Sequence, residues 1–158
     1  MSAVGAPLIG LVVDKLGYRI YFIILSGFIF VSAHLTFAFI PLCDEETGPC
    51  RTAIVGMVLL GITYSIYVSS IWPSIFYVVP ARTVGTAYGL TTAVQNAGLA
   101  LIPLVVGPIT EKTTYRGGYF WVNMTLGMIA ILGILNAVWL FIWDKKYNHG
   151  RLNTVEHR

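Results

Sequence analysis

The sequence GLVVDKLGYR, residues 10–19, lies between two long apolar stretches and decides how the chain is interpreted. Its charged residues are Asp14, Lys15 and Arg19. The flanking residues, 1–13 and 20–43, contain no Asp, Glu, Lys or Arg. A short charged segment between two uncharged ones is typical of a turn between helices at a membrane surface. We call residues 10–19 the charged turn.

Three further uncharged stretches follow, at residues 52–81, 83–110 and 117–143. A helix rises about 1.5 Å per residue, so roughly 20 apolar residues cross a hydrocarbon layer of about 30 Å. The first stretch has only 13 residues, which predicts that the chain begins inside a longer helix. We predict an all-α polytopic membrane protein with one truncated and four full transmembrane helices. The predicted helices are residues 1–13, 20–42, 53–79, 85–108 and 119–143, followed by a polar tail at 144–158.

The composition supports a membrane protein. Of the 158 residues, 56% are hydrophobic and only 11% are charged, whereas soluble domains carry roughly 25% charged residues. The net charge of +3 does not indicate a nucleic-acid partner, because the basic residues are scattered. The sequence shows no metal-ligand cluster, phosphate-binding loop or nucleophile–base motif, so no enzyme activity, metal or cofactor is predicted.

The basic residues predict the orientation in the membrane. Seven of the ten Lys and Arg residues fall on one side, which is therefore expected to face the cytosol. The acidic loop between the second and third helices is then outside the cytosol, where disulfides form. It contains Cys43 and Cys50, which are either a disulfide or two free thiols.

Five positions of the charged turn resemble a known family signature. They are Gly10, Asp14, Lys15, Gly17 and Arg19, which match the G-x-x-x-D-[RK]-x-G-x-[RK] pattern of the major facilitator superfamily. That family places the pattern on the cytosolic turn between the second and third helices of each six-helix half. The resemblance implies that this chain is part of the C-terminal half of a solute transporter. It also implies that the charged turn belongs to a cytosolic gate; the alternative is a generic charged turn.

A second stretch, from Tyr64 to Ala100, resembles the lysosomal dipeptide transporters of this superfamily. The matching residues are Tyr64-Ser65, Ile71-Trp72-Pro73, Val78-Val79-Pro80, Gly85-Thr86-Ala87-Tyr88-Gly89, Gln95-Asn96 and Gly98-Leu99-Ala100. This implies dipeptide uniport out of lysosomes and a glycosylated single-pass accessory subunit. Two alternatives stay open: a facilitator for sugars or organic anions, and a small multi-span structural or interaction protein.

Candidate substrate-binding residues lie in the third predicted helix. A polar stripe at helical spacing either lines a cavity or joins helices through hydrogen bonds. Its members are Thr63, Tyr67, Ser70 and Ser74. Tyr64 is a candidate hydrogen-bond donor in the same cavity. Trp72, followed by Pro73, either packs over substrate or is an ordinary packing residue.

The fourth predicted helix carries two amides, Gln95 and Asn96. Because unpaired amides are unfavourable in lipid, Asn96 is expected either to bind a peptide in the central cavity or to bond another helix. In the second helix, His34 is an ionisable side chain inside the membrane, for which a packing role is favoured. All seven Asp and Glu residues lie in turns, loops or the tail, which agrees with uniport rather than proton coupling.

Overall fold

The computed structural model describes residues 2–39, 51–113 and 115–154. Within these ranges it contains α1 (Ser2–Leu16), α2 (Arg19–Phe39), α3 (Arg51–Val78), α4 (Val84–Lys112) and α5 (Tyr119–Tyr147). The remaining described residues form short turns, including 3₁₀ turns at Ala81–Thr83, Tyr115–Gly118 and Arg151–Asn153. The prediction of an all-helical fold is confirmed. Four helices, α2 to α5, are long and apolar enough to cross a membrane.

The helices extend further than the uncharged stretches suggested. The prediction ended the fourth helix at 108 and the fifth at 143, whereas α4 continues to Lys112 and α5 to Tyr147. The absence of charge marks the hydrocarbon layer, but helical hydrogen bonding continues into the polar layer, where Lys and Glu are hydrated. Pro108 lies inside α4 instead of ending it.

The second helix is the centre of the bundle, because α2 packs against both α3 and α5, and α1 packs against α3. Small residues of α2, including Ser26, Ala33 and Ala38, are buried at these contacts. Two glycines permit close approaches at these contacts. A Cβ built on Gly56 of α3 would lie 2.5 Å from the Phe37 ring, and one on Gly27 would lie 2.6 Å from the Ile134 side chain. These packing contacts are typical of membrane helices.

The fourth helix is packed differently from the others. None of the residues of α4 is buried, and the helix makes few contacts with α3 and α5. Gly85 and Gly89 lie on an open surface, where an added Cβ would meet nothing within 4 Å. Most of α4 therefore has no partner among the described residues.

One end of the bundle gathers the charged turn, the end of α3 and the residues after α5. The guanidinium of Arg19 lies 4.1 Å from the centre of the Tyr77 ring at the end of α3. The 3₁₀ turn Arg151–Asn153 contacts both α2 and α3. We call this the basic end, since Lys15, Arg82, Lys145, Lys146 and Arg151 are all exposed there.

Candidate transport site and charged turn

The charged turn reverses the chain through two consecutive residues with positive φ. Gly17 has φ 73°, and its N–H donates to the Val13 carbonyl at 2.8 Å, which ends α1. Tyr18 has φ 41°, a conformation that non-glycine residues rarely adopt. α2 begins at the next residue, Arg19. Glycine at position 17 suits the first of these conformations because it has no Cβ.

An ion pair closes this turn. Arg19 Nη2 lies 3.3 Å from Asp14 Oδ1; the Arg19 side chain is 2% exposed and that of Asp14 60%. The guanidinium also lies over Tyr77, while its Nε and Nη1 atoms have no hydrogen-bond partner among the described residues. The pair therefore connects the end of α1 to the start of α2 and, through Tyr77, to α3. Lys15 is exposed beside it.

α1 leaves less room toward α3 at Gly5, which was not predicted to be a contact, than at Gly10. A Cβ on Gly5 would lie 3.0 Å from Ser65 Oγ, whereas one on Gly10 would lie 4.0 Å from Ser69 Oγ. The Ser69 hydroxyl donates to the Ala6 carbonyl of α1 at 2.7 Å. The small-residue spacing of α3 at positions 61, 65 and 69 was the available signal for this contact.

Two of the predicted substrate-binding residues, Tyr64 and Tyr67, line a cavity of about 440 Å³ between α2, α3 and α5. Thr63 lines it as well; its Oγ1 is buried and has no hydrogen-bond partner in the described part of the chain. The other lining residues are mostly apolar or small: Ile23, Ser26, Gly27, Phe30, Leu60, Ile129, Ala130, Gly133 and Ile134. The cavity thus combines an apolar wall with a few hydroxyl groups.

The remaining members of the polar stripe bond within their own helix. Ser70 Oγ donates to the Ile66 carbonyl at 2.8 Å, and Ser74 Oγ donates to the Ser70 carbonyl at 2.6 Å. Both serines are buried. Serine commonly satisfies its hydroxyl in this way inside a helix. Neither hydroxyl joins two helices in this structure.

Trp72 is not part of the cavity. It stacks on Tyr88 of α4, with ring centres 5.7 Å apart and planes 17° from parallel. The Tyr88 hydroxyl donates to the Trp72 carbonyl at 2.9 Å. The sequence did not predict this contact, although the aromatic ring of Tyr88 was the available signal for it.

The two amides of α4 are exposed and make no hydrogen bond with the described residues. At about 100° per residue, Asn96 lies roughly in line with Gly85 and Gly89, and we call this side of the helix the open face of α4. Gln95 lies on the side nearer Tyr88. Of the predicted substrate-binding residues, Tyr64 and Tyr67 therefore line the cavity and Trp72 lies at the α3–α4 contact. Asn96 lies on the open face of α4, and Gln95 is exposed on another side of that helix.

His34 joins two helices. Its Nδ1 lies 2.9 Å from Asn123 Oδ1 of α5, and its ring contacts Phe30 edge to face at 4.4 Å. Asn123 Nδ2 in turn donates to the Tyr119 carbonyl. His34 Nε2 is buried without a hydrogen-bond partner among the described residues. The contacts of His34 fit the packing role that the sequence favoured. Cys43 and Cys50 lie outside the described residues.

Four helices long and apolar enough to cross a membrane define a polytopic helical membrane protein. Its first two helices, α1 and α2, are joined by a short turn that contains an ion pair. The sequence profile of the Major Facilitator Superfamily matches residues 1–157, and the chain belongs to this family. Among curated proteins it is similar to the lysosomal dipeptide transporter MFSD1 of Danio rerio, with 31% identity over 153 residues. The same-named protein of Homo sapiens is also 31% identical over 153 residues.

These matches cover 97% of this chain but only 30% of each relative. The chain thus spans less than a third of the length of the curated relatives it matches. No solved structure matches it significantly.

Proposed function

We propose that this chain is part of a longer transporter that carries dipeptides across the lysosomal membrane by alternating access. Support comes from the family match and from relatives named as lysosomal dipeptide transporters, which match 97% of the chain. In transporters of this kind, the substrate site lies near the middle of the membrane between two halves that rock against each other. The basic end is proposed to face the cytosol, following its excess of Lys and Arg.

The observation that carries this proposal is the open face of α4. Asn96 lies in the middle of an apolar helix with its amide exposed and unpaired among the described residues. An amide in contact with lipid would be unfavourable, so this face requires a polar partner. A water-filled pathway between two halves provides one. There the amide can bond the peptide group or a terminus of a dipeptide.

The remaining candidates have distinct proposed roles. Trp72 and Tyr88 hold the start of α4 against the end of α3 and thereby set the position of Asn96. Gln95 is proposed to bind substrate from the side of α4 nearer Tyr88. Tyr64 and Tyr67 line the separate cavity, where their hydroxyls offer hydrogen bonds to a small solute. The ion pair of Asp14 and Arg19 is proposed to stabilise one state of the cytosolic gate.

Uptake of a labelled dipeptide into proteoliposomes tests this function. The experiment uses the whole proposed transporter, of which this chain is a part. Asn96→Ala is the test variant, and Val94→Ala is a control that shortens another exposed side chain of α4. Saturable uptake by the wild type and the control, with at least a tenfold lower rate for Asn96→Ala, supports the proposal. A tenfold change corresponds to about 1.4 kcal/mol, which is within the range for the loss of one hydrogen bond.

Two outcomes would count against it. If the folded wild-type protein shows no dipeptide uptake, with or without a proton gradient, sugars and organic anions become the substrates to test. If uptake is normal in Asn96→Ala, the peptide does not bind at the open face of α4. An accessory single-pass glycosylated subunit is also proposed, and co-purification of such a protein from lysosomal membranes would support it.

A further inference from the structure

The residues that follow α5 fold back onto the charged turn. His149 and Gly150 have φ values of 55° and 72°, which reverse the chain. The Asp144 carbonyl accepts hydrogen bonds from the N–H groups of Asn148 and Gly150, both at 3.0 Å. Asn148 Nδ2 also donates to Asp144 Oδ1 at 3.1 Å. We call residues 148–154 the tail turn, and these bonds attach it firmly to the end of α5.

Within the tail turn, Asn153 bonds to the start of α2 through two acceptor atoms. Its backbone carbonyl accepts the N–H of Tyr18 at 3.3 Å, and its side-chain Oδ1 accepts the N–H of Ile20 at 3.2 Å. The neighbouring Leu152 is only 4% exposed, so the turn is also anchored by an apolar contact. The side chain of a residue 133 positions away therefore accepts a hydrogen bond from a backbone N–H in the first turn of α2.

The start of α2 needs an acceptor from elsewhere. The first N–H groups of any helix lack a partner within the helix, and a Ser, Thr, Asp or Asn just before the helix usually supplies one. Here that position is Tyr18, whose side chain cannot serve as such an acceptor and whose φ of 41° is not the extended conformation of a normal cap. Asn153 replaces the missing cap.

We infer that Asn153 is a positioning residue for the charged turn. By capping α2, its Oδ1 atom holds Arg19 and Ile20 in place. It therefore holds the Arg19 guanidinium against Asp14 and Tyr77. The end of α5 and the charged turn then move as one unit, and any rearrangement of the turn must carry the tail turn along or break this cap. The link to gating rests on the proposed function, whereas the cap itself does not.

Three substitutions separate the cap from simple packing. Asn153→Asp keeps an acceptor of the same size near the helix N-terminus, where a negative charge is favourable. Asn153→Leu keeps the size but removes the acceptor, and Asn153→Ala does so with less risk to folding. Arg151→Gln is the matched control, because Arg151 lies in the same 3₁₀ turn with an exposed side chain.

Amide hydrogen exchange in the full-length protein, resolved to single residues by mass spectrometry, measures the cap without any substrate. We expect exchange at Ile20 to rise about fivefold in Asn153→Leu and Asn153→Ala, in line with the usual loss of a helix cap. It should stay at the wild-type rate in Asn153→Asp and Arg151→Gln. Tyr18 is an internal reference, because its acceptor is the backbone carbonyl, which every variant retains.

Transport by the same variants tests the link to gating. The maximum rate of dipeptide uptake should fall about fivefold in Asn153→Leu, with half-saturation unchanged and with rescue by Asn153→Asp. Equal exchange at Ile20 in the Leu, Ala and Asp variants would overturn the cap. Raised exchange with an unchanged maximum rate would overturn the positioning role. If even the wild type transports no dipeptide, the proposed function fails, while the exchange result still decides the cap.

Discussion

The contact between α2 and α3 allows a graded test of the packing. A Cβ added at Gly56 would lie 2.5, 2.7 and 2.8 Å from three atoms of the Phe37 ring, far inside normal contact distance. A rigid ring cannot retract as the end of an aliphatic chain can. We therefore expect Gly56→Ala to destabilise the full-length protein by about 1–3 kcal/mol, the usual effect of overpacking.

Two other glycines provide matched controls. At Gly27 the nearest atom is Ile134 Cγ1 at 2.6 Å, next to the Cβ of a β-branched side chain whose χ1 is restricted in a helix, so Gly27→Ala should destabilise as well. At Gly133 an added Cβ meets nothing within 4 Å. Because alanine is a better helix former than glycine by about 1 kcal/mol, Gly133→Ala should be neutral or stabilising.

Thermal unfolding of the purified protein in detergent measures this series. The expected unfolding temperature is at or above wild type for Gly133→Ala and below wild type for both Gly27→Ala and Gly56→Ala. Phe37→Leu combined with Gly56→Ala should recover part of the loss, since leucine can move away from the new methyl group. Equal unfolding temperatures for Gly56→Ala and Gly133→Ala would refute the close packing of α2 on α3.

Three other predictions concern the ion pair of the charged turn, His34 and the two cysteines. Asp14→Asn should lower the unfolding temperature more than Lys15→Gln, because it removes the ionic partner of a buried guanidinium; equal effects would argue against a structural ion pair. His34→Leu should destabilise the protein by about 1 kcal/mol more than His34→Gln, because glutamine can still form a hydrogen bond with Asn123. Peptide mapping without reductant, with cleavage at Glu45 or Glu46, should recover Cys43 and Cys50 in two linked peptides, and free thiols on both would exclude the disulfide.

The positions of the helices could be predicted because uncharged stretches that cross the membrane alternate along the chain with short charged segments at its surface. Uncharged stretches of sufficient length and the prolines and glycines between them located α2 to α5. The ends were less predictable, since charge marks the lipid boundary and not the last helical hydrogen bond, as Lys112 and Tyr147 show. The charged turn was identified because its residues are adjacent in sequence.

The arrangement of the site was less accessible from sequence. Helical spacing placed Thr63 and Tyr67 on one face, but which neighbour covers that face depends on tertiary packing. Trp72 found its partner in Tyr88, on another helix. The cap by Asn153 was invisible for a similar reason, because a hydrogen bond between a helix start and a distant turn leaves no periodic pattern. The tail was expected to be polar and gave no signal of this contact.

The most direct test of the account is the accessibility of position 96 in the full-length protein. Asn96→Cys, in a background lacking other cysteines, is treated with a charged thiol reagent that does not cross membranes. We predict that the cysteine reacts and that dipeptide slows the reaction at least threefold, while an unrelated sugar does not. A cysteine that never reacts, or that reacts equally fast with and without dipeptide, would contradict the proposal that the open face of α4 lines the substrate pathway.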